Sequence, residues 1–341
     1  VTFPAEEGIY VQPNTPAFMP VPGHVLRPRT RYALVVTDAV RAEGGGEVVA
    51  AKELRQVLGL DPPETDAISA LAARLAADVS ELGAAGVDGE RVVHFTAFET
   101  SDPAREFLLA AGDAESIPSP SADPAAWELS ASNQDYDEYL GSYGPTPNYQ
   151  TGTIPFESFG DGGGFAPDAS GVPKPVGSFD ARFSLVVPNQ AECPEPSGCY
   201  PIVLYAHGTG GDYRSFVRDG TARALAQRCL ASMGVDQIFH GARPGAPSQP
   251  GKLEILFFNF NNIAAARTNI RQSGLDEVHR ARLVRDGNLS VPAAVSATMS
   301  QIRFDPQRIL FFGHSQGSLN GPLFLAGSDL TPGAVLSGAS G

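Results

Sequence analysis

The chain has 341 residues and a mass of 35.7 kDa, about twice the ~100 to 200 residues of one domain, which argues against a single small binding module. Asp and Glu outnumber Lys and Arg by 38 to 24. The resulting formal charge of −14 would repel phosphate backbones, so nucleic-acid binding is not expected. No apolar run approaches the ~18 residues of a membrane span, and no transmembrane segment is predicted.

Residues 1–111 are predicted to form a small β-rich, Ig-like domain with one helix. Residues 26–40 read as a strand that closes in a glycine turn. Residues 65–82 carry apolar side chains at spacings of three and four behind Thr65 or Asp66 as the N-cap, which predicts an amphipathic helix. Residues 91–100 return to a strand pattern before Asp-Pro breaks it.

Residues 112–178 are rich in Pro, Gly, Ser and Asp and lack a sustained period, which predicts a long connection wrapping over the second domain. Four tyrosines in it have two open roles: they line an apolar substrate groove, or they anchor the segment. They are Tyr136, Tyr139, Tyr143 and Tyr149. Asp161 and Asp168 favour a plain turn over a calcium site, so no metal is predicted.

Residues 179–341 alternate strand and helix patterns, which predicts an α/β domain with a mainly parallel sheet covered on both faces. The predicted strands are 181–187, 201–206, 230–235, 308–312 and 334–336. The predicted helices are 213–227, 263–284 and 318–326.

The cysteines bear on the cellular compartment. Cys193 and Cys199 flank Pro-Glu-Pro-Ser-Gly, which turns the chain tightly enough for a disulfide; two unpaired thiols are the alternative. Cys229 lies in an apolar stretch and is predicted to be a buried free thiol. A disulfide would place the protein outside the cytosol.

The motif with the clearest chemistry is Gly313-His314-Ser315-Gln316-Gly317, which stands between an apolar strand pattern and a helical one. Strand, G-x-S-x-G and helix make the context of a nucleophile elbow, in which a sharp turn exposes a strained serine. The helix N-terminus that follows favours developing negative charge. Ser315 is therefore the predicted nucleophile; a purely structural turn is the alternative.

A second motif, His207-Gly208-Thr209-Gly210-Gly211, follows the buried strand pattern of residues 201–206. Glycines let the backbone approach a carbonyl, so the amides of Thr209 and Gln316 are the predicted oxyanion donors. Gly313, His314 and Gly317 of the first motif are expected to support them, together with His207 and Gly208. A glycine-rich loop without this role is the alternative.

With these two motifs, the chain from about residue 180 onward resembles the α/β-hydrolase fold. The resemblance implies a Ser-His-Asp/Glu triad that needs no cofactor. Residues 258–262 and 265–273 with Asp276 are similar to bacterial extracellular lipases of the Pla-1/cef and surface-lipoprotein type. Residues 26–32 and 95–100 resemble the β-rich leader domain of those lipases.

Other polar residues have supporting roles in this reading. His240 either contacts substrate or anchors a loop. A polar helix face is expected to make buried hydrogen bonds that fix the site loops, with a direct catalytic role as the alternative; its members are Arg267, Asn269, Arg271 and Gln272. His279 is expected to form a surface pair with Asp276.

The triad of this fold runs Ser, acid, His, yet the 26 residues after Ser315 contain Asp329 and no histidine. Asp329 comes too early to be the acid and is not assigned. The sheet would also end on an apolar edge at residues 334–336. We therefore expect the chain to be one fragment of a cut precursor, with a separate C-terminal chain supplying the acid, the histidine and the closing strands.

The sequence thus predicts a secreted serine esterase or lipase that acts on an ester or lipid through an acyl-enzyme on Ser315. One alternative is a depolymerase for a polyester or aromatic ester, with residues 112–178 forming the substrate surface. Another is a binding protein that kept the fold but lost its triad.

Overall fold

The computed structural model describes residues 17–194, 198–249 and 251–339. The chain divides into two compact units at Pro103, whereas the sequence placed the boundary at residue 111. The difference is helix α3, Arg105–Gly112. Its Phe107 is fully buried in the hydrophobic core of the second unit, so the helix belongs there.

The first unit pairs two antiparallel strands and carries two helices. Its elements are β1 (Arg31–Thr37), α1 (Lys52–Val57), α2 (Asp66–Ala84) and β2 (Val92–Glu99). The predicted helix start is confirmed, because the Thr65 hydroxyl accepts a hydrogen bond from the Ile68 amide at 3.2 Å. Leu75 and Val79 of α2 pack onto Val92. The described part of this unit holds only this pair of strands, so the expectation of an Ig-like sandwich is wrong for it.

The second unit is built on a nine-stranded sheet. Its strands are β3 (Ser121–Ala122), β4 (Glu128–Ser132), β5 (Tyr136–Asn148), β8 (Gly177–Pro188), β9 (Tyr200–Ala206), β10 (Ala231–Val235), β11 (Ser290–Val291), β12 (Ile302–His314) and β13 (Ala334–Ser337). A separate ribbon joins β6 (Gln150–Gly152) to β7 (Gly162–Phe165). The sheet order is β13-β12-β9-β10-β8-β5, and the first four strands are parallel to one another. Strand β8 pairs antiparallel with β10, and β5 pairs antiparallel with β8.

Helices cover both faces of this sheet, which makes the unit a three-layer α/β fold, as the alternation of strand and helix patterns predicts. They are α4 (Ser215–Arg218), α5 (Thr221–Ala226), α6 (Lys252–Phe258), α7 (Ile263–Arg285) and α8 (Gln316–Gly327). Helices α3, α7 and α8 bury the face that carries Leu204 and Phe311, and α5 lies on the face of Tyr205 and Phe312. Adjacent residues point to opposite faces, as the period of a strand requires. The predicted helix at 213–227 is split because Gly220 is left-handed, at φ 87°.

The prediction of a long connection over residues 112–178 is wrong, since five strands lie there. The longest, β5, places Tyr139 and Tyr143 in the core. Its Gly141 is not a turn residue: a side chain there would overlap the ring of Phe183 on β8. Tyr149 is fully buried as well. These tyrosines therefore anchor the segment and do not line an open groove.

The predicted disulfide partner is also wrong. Cys193 pairs with Cys229, with Cα atoms 5.4 Å apart, and Cys199 is a free thiol. The chain folds back between them, because Cys229 closes α5 in a left-handed turn at φ 59°. The Cys193 carbonyl accepts a hydrogen bond from the Tyr200 hydroxyl at 2.7 Å. Residues 195–197, inside the predicted loop, lie outside the described part of the chain.

Candidate active site

Ser315 stands at the turn between β12 and α8. Its φ of 49° and ψ of −109° are strained for a residue that is not glycine, as the elbow motif predicts. The side chain is exposed, and its hydroxyl does not cap the helix that begins at Gln316. The Ser315 amide donates a hydrogen bond to the Ser337 carbonyl at 2.9 Å, which ties the turn to β13. The backbone therefore holds a serine hydroxyl exposed at the carboxyl end of the parallel strands.

The glycines of the elbow are required by close approach of main chains. A side chain on Gly317 would overlap the Ala206 carbonyl at the end of β9. One on Gly313 would overlap the Gly317 carbonyl. The Gly317 amide also donates a hydrogen bond to the His207 carbonyl at 3.2 Å. The elbow thus packs directly against the start of the second predicted motif.

The structure brings that second motif beside the serine. A Cβ on Gly208 would lie 3.1 Å from the Ser315 Cβ, closer than most Cβ contacts. The amide of Gly210 is engaged by His240 at 3.0 Å, and the amide of Gly211 by the Gly208 carbonyl at 3.0 Å. The amides of Thr209 and Gln316 donate to no residue of the described chain. Two unengaged N–H groups therefore belong to residues that directly follow Gly208 and Ser315, the two positions that approach each other here.

The side chains of these two residues are joined. The Thr209 hydroxyl donates to the Gln316 side-chain oxygen at 2.9 Å, and Gln316 is only 1% exposed. This contact couples the loop after β9 to the first turn of α8. The positions of the two amides relative to each other are thereby constrained by a hydrogen bond.

Two buried histidines hold the loop in place. His207 donates from Nδ1 to the Gly208 carbonyl at 2.8 Å and accepts at Nε2 from the Gln237 amide at 3.2 Å. Burial, and then the neighbouring His240, lower the pKa of His207 to about 4. His240 donates from Nδ1 to the Ile238 carbonyl at 2.8 Å and accepts from Gly210. Burial lowers the pKa of His240 too, so both rings are neutral near pH 7. His240 is therefore a loop anchor.

Asp236, a carboxylate not predicted from the sequence, also holds loop segments in place. Asp236 is 3% exposed and follows β10 directly. Its oxygens accept hydrogen bonds from the Tyr213 amide at 3.0 Å and the Ala242 amide at 2.9 Å, and it pairs with Arg182. It joins the segment after the glycine loop of residues 207–211 to the segment after β10. Its signal in the sequence is a lone acid immediately after a buried strand.

Three of the four polar residues predicted to make buried hydrogen bonds from helix α7 are buried. Asn269 donates to the Leu256 and Phe257 carbonyls at 3.0 and 2.9 Å. Gln272 accepts from the Tyr149 amide at 2.8 Å, while Arg271 pairs with Glu106. Arg267 differs, because its side chain is 56% exposed.

The predicted surface pair between His279 and Asp276 is wrong. His279 is fully buried and bonds the Tyr149 hydroxyl at 3.0 Å. Its Nδ1 accepts from Arg282 at 3.2 Å. Burial, and then the Arg282 charge, lower its pKa to about 3. Asp276 instead pairs with Arg243 at 2.8 Å.

The four histidines of the second unit all bond groups other than Ser315. His207, His240 and His279 have the partners given above, and His314 Nδ1 lies 3.5 Å from the Ser337 hydroxyl. Asp329 is exposed at the end of α8. The described residues contain no group of three or more side chains that could hold a metal ion. In the same residues, no helix is both long and apolar enough to cross a membrane.

The sequence matches no protein-family model and no curated protein. Similar solved structures include an acetyl xylan esterase from Paenibacillus sp. R4, 15% identical, covering 69% of this chain and 58% of that one at a TM-score of 0.41. Acetyl xylan esterase 1 from Thermoanaerobacterium sp. JW/SL YS485 is 13% identical, with 69% and 57% covered and a TM-score of 0.37. A CE15 glucuronoyl esterase from Teredinibacter turnerae T7901 is 10% identical, with 66% and 46% covered and a TM-score of 0.37. The chain thus spans less than two thirds of each of these proteins.

Proposed function

We propose that the protein is a serine hydrolase that cleaves carboxylic esters through an acyl-enzyme on Ser315. The observation that carries the proposal is the exposed, strained serine beside two amides, of Thr209 and Gln316, that donate to nothing else in the described chain. A strained backbone at an exposed hydroxyl costs stability, which is typical of a functional site. No metal or organic cofactor is needed for this chemistry.

The reaction proceeds in two steps. The Ser315 oxygen attacks the ester carbonyl while its proton passes to a general base, and the two amides hold the oxyanion. The alkoxide leaves with that proton, and water then releases the acid from Ser315. The amide at the first turn of α8 adds the positive end of the helix dipole.

We infer that the general base and its acid are supplied from outside the described part of this unit, because its four described histidines bond other groups. We assign them to a separate C-terminal chain. Strand β13 supports this assignment, since among the described strands it pairs with β12 alone. Its Val335 is 54% exposed, so an added strand would cover apolar surface at that edge.

We further propose that the enzyme is secreted and that it is a lipase or esterase of the Pla-1/cef and surface-lipoprotein type. The Cys193–Cys229 disulfide is consistent with a location outside the cytosol. Turnover of p-nitrophenyl esters of increasing acyl length separates the two activities: a lipase prefers the long chains.

The decisive experiment compares Ser315→Ala with Ser300→Ala, a change at an exposed serine outside the site, in protein purified from its natural source or with its partner chain. Ser315→Ala should abolish ester turnover while Ser300→Ala retains it. Unchanged turnover in Ser315→Ala would refute the proposal. Mass spectrometry of the same material should find a second polypeptide that contains a histidine. A protein that kept the fold only for binding would leave Ser315 unmodified by a fluorophosphonate.

A further inference from the structure

A cavity of about 120 Å³ lies at the carboxyl end of β10, in the same unit as the serine. Its walls include Ile238 and Phe239, which directly precede the His240 that holds Gly210. Phe179 of β8 and Phe156 complete an aromatic lining. An apolar cavity of ~150 Å³ is known to hold one benzene molecule. The size and lining therefore suit a single aromatic ring.

Two of the lining residues are strained. Phe156 has a φ of 63° and Phe239 a φ of 60°, values that bulky side chains rarely adopt. Their rings stand edge to face with centroids 6.5 Å apart. Edge-to-face geometry is favourable between aromatic rings, and a ligand ring in the cavity could extend it. The fold thus maintains two costly backbone conformations in the cavity wall.

One polar atom of a residue that lines the cavity has no hydrogen-bond partner in the described chain. Gln150 is 3% exposed, and its side-chain nitrogen donates to the Gly163 carbonyl at 3.3 Å, the Thr268 hydroxyl at 3.1 Å and Asn269 Oδ1 at 2.9 Å. Because a carbonyl only accepts, this fixes which end of the Gln150 amide is nitrogen. Its oxygen accepts no hydrogen bond from any described residue, although Gln150 lines the cavity. A ligand that donates one hydrogen bond would satisfy it.

The charged group of the cavity is already neutralised. Arg243 pairs with Asp276 at 2.8 Å, and its guanidinium lies 3.8 Å from the centre of the Phe179 ring. Asn148 is engaged too, because its side chain bonds the main chain of Gln150 at both ends. What the cavity offers is an aromatic wall and neutral polar groups, namely the Gln150 oxygen and the Ser178 hydroxyl. That combination selects an uncharged ring with a hydroxyl group over a carboxylate.

We propose that this cavity binds a hydroxylated aromatic ring, and that the ring is the distal part of the ester substrate. The second half of this inference rests on the proposed esterase function. Phe239 of the cavity wall is followed directly by His240, which accepts a hydrogen bond from the Gly210 amide, so the wall and the glycine loop after β9 are held by one segment. The substrate class is then an ester of a phenolic acid or phenolic alcohol.

The test of binding uses the Ser315→Ala protein together with its partner chain, so hydrolysis plays no part in the result. Phenol and benzene are titrated separately and followed by ligand-detected NMR. Phenol should bind saturably with a millimolar or lower Kd, and benzene about fivefold to tenfold more weakly, since it cannot donate to Gln150. Absence of saturable phenol binding, or equal affinity for benzene, would overturn the proposal.

Two matched variants locate the binding. Ile154 lines the cavity and is 37% exposed. Val176 directly precedes strand β8, is 52% exposed and does not line the cavity. Ile154→Trp should weaken phenol binding at least tenfold, and Val176→Trp should leave it unchanged. Equal loss in both variants would contradict this location. Loss of binding in Ile154→Trp counts only if its unfolding midpoint in urea matches that of Val176→Trp; if it does not, Ile154→Phe, a smaller filling change, replaces it.

The role in catalysis is tested separately, with the active protein. Phenol should inhibit hydrolysis of a phenolic ester competitively, and Ile154→Trp should raise the KM of that ester at least tenfold, whereas Val176→Trp should leave it unchanged. Binding of phenol without inhibition would overturn the substrate assignment. Failure of the esterase proposal itself is a different result, namely turnover that survives in Ser315→Ala.

Discussion

The strain at the elbow gives a prediction that separates stability from activity. Ser315→Ala and Ser315→Gly both remove the hydroxyl, but only glycine accepts a φ of 49° without a steric penalty. A residue held in such a conformation costs about 1 to 3 kcal/mol. Glycine also lowers the free energy of unfolding by about 0.4 to 1 kcal/mol, because it increases the conformational entropy of the unfolded chain. Ser315→Gly should therefore be more stable than Ser315→Ala by about 1 kcal/mol.

The assay is urea unfolding followed by tryptophan fluorescence. The chain has a single tryptophan, Trp127, whose ring lies 5.1 Å from that of Phe183 in the sheet of the second unit. Its emission therefore reports the unit that carries the serine. Ser315→Ala itself should stay within about 0.5 kcal/mol of the parent, because the exposed hydroxyl does not cap α8. A Ser315→Gly chain that is no more stable than Ser315→Ala would refute the argument from strain.

Three further predictions concern the disulfide, the oxyanion loop and acid stability. Cys193→Ser should lower the free energy of unfolding by about 4 kcal/mol, the value expected for a disulfide closing a loop of 36 residues, and Cys199→Ser should leave it unchanged in the same urea assay; an equal loss in both would contradict the pairing. Gly208→Ala should lower kcat about tenfold with little change in KM, because its Cβ must displace Ser315 or the loop by a few tenths of an ångström; an unaltered kcat would show that the loop does not contact the nucleophile. His279 has a pKa of about 3 in the folded chain against ~6.5 when unfolded, so the unfolded chain binds the proton first and stability is full above pH 6.5 and falls as the pH drops toward 3. Between pH 7.5 and pH 5 the parent should lose about 2 kcal/mol relative to His279→Gln in urea unfolding, and parallel pH profiles would contradict a buried neutral imidazole.

The elbow could be predicted from the sequence because residues that are close in the sequence determine it. Five consecutive residues, a strand before them and a helix after them determine the turn, and the glycines at 313 and 317 are required by main-chain contacts that any sharp turn of this kind makes. The loop at residues 207–211 was predictable for the same reason. Helix α7 was also found, because its 23 residues carry a helical pattern along their full length.

The features that could not be predicted depend on contacts between residues that are distant in the sequence. The Pro and Gly content of residues 112–178 predicts a connection, but Gly141 lies within β5, where its lack of a side chain makes room for the ring of Phe183 on the neighbouring strand. Cys193 has one candidate partner close in sequence, but the fold places Cys229 against it. His279 looks like a solvent-facing residue beside Asp276 until Tyr149 covers it. Each of these errors came from treating a tertiary contact as a local pattern.

The central claim is that the Ser315 hydroxyl is the nucleophile of an ester hydrolase. Peptide mapping by mass spectrometry, after a fluorophosphonate has reacted with the natively purified protein, tests it most directly. We predict that the label is found on Ser315 and is absent from the Ser315→Ala protein. A label on another residue, or no label in material that hydrolyses esters, would contradict the account.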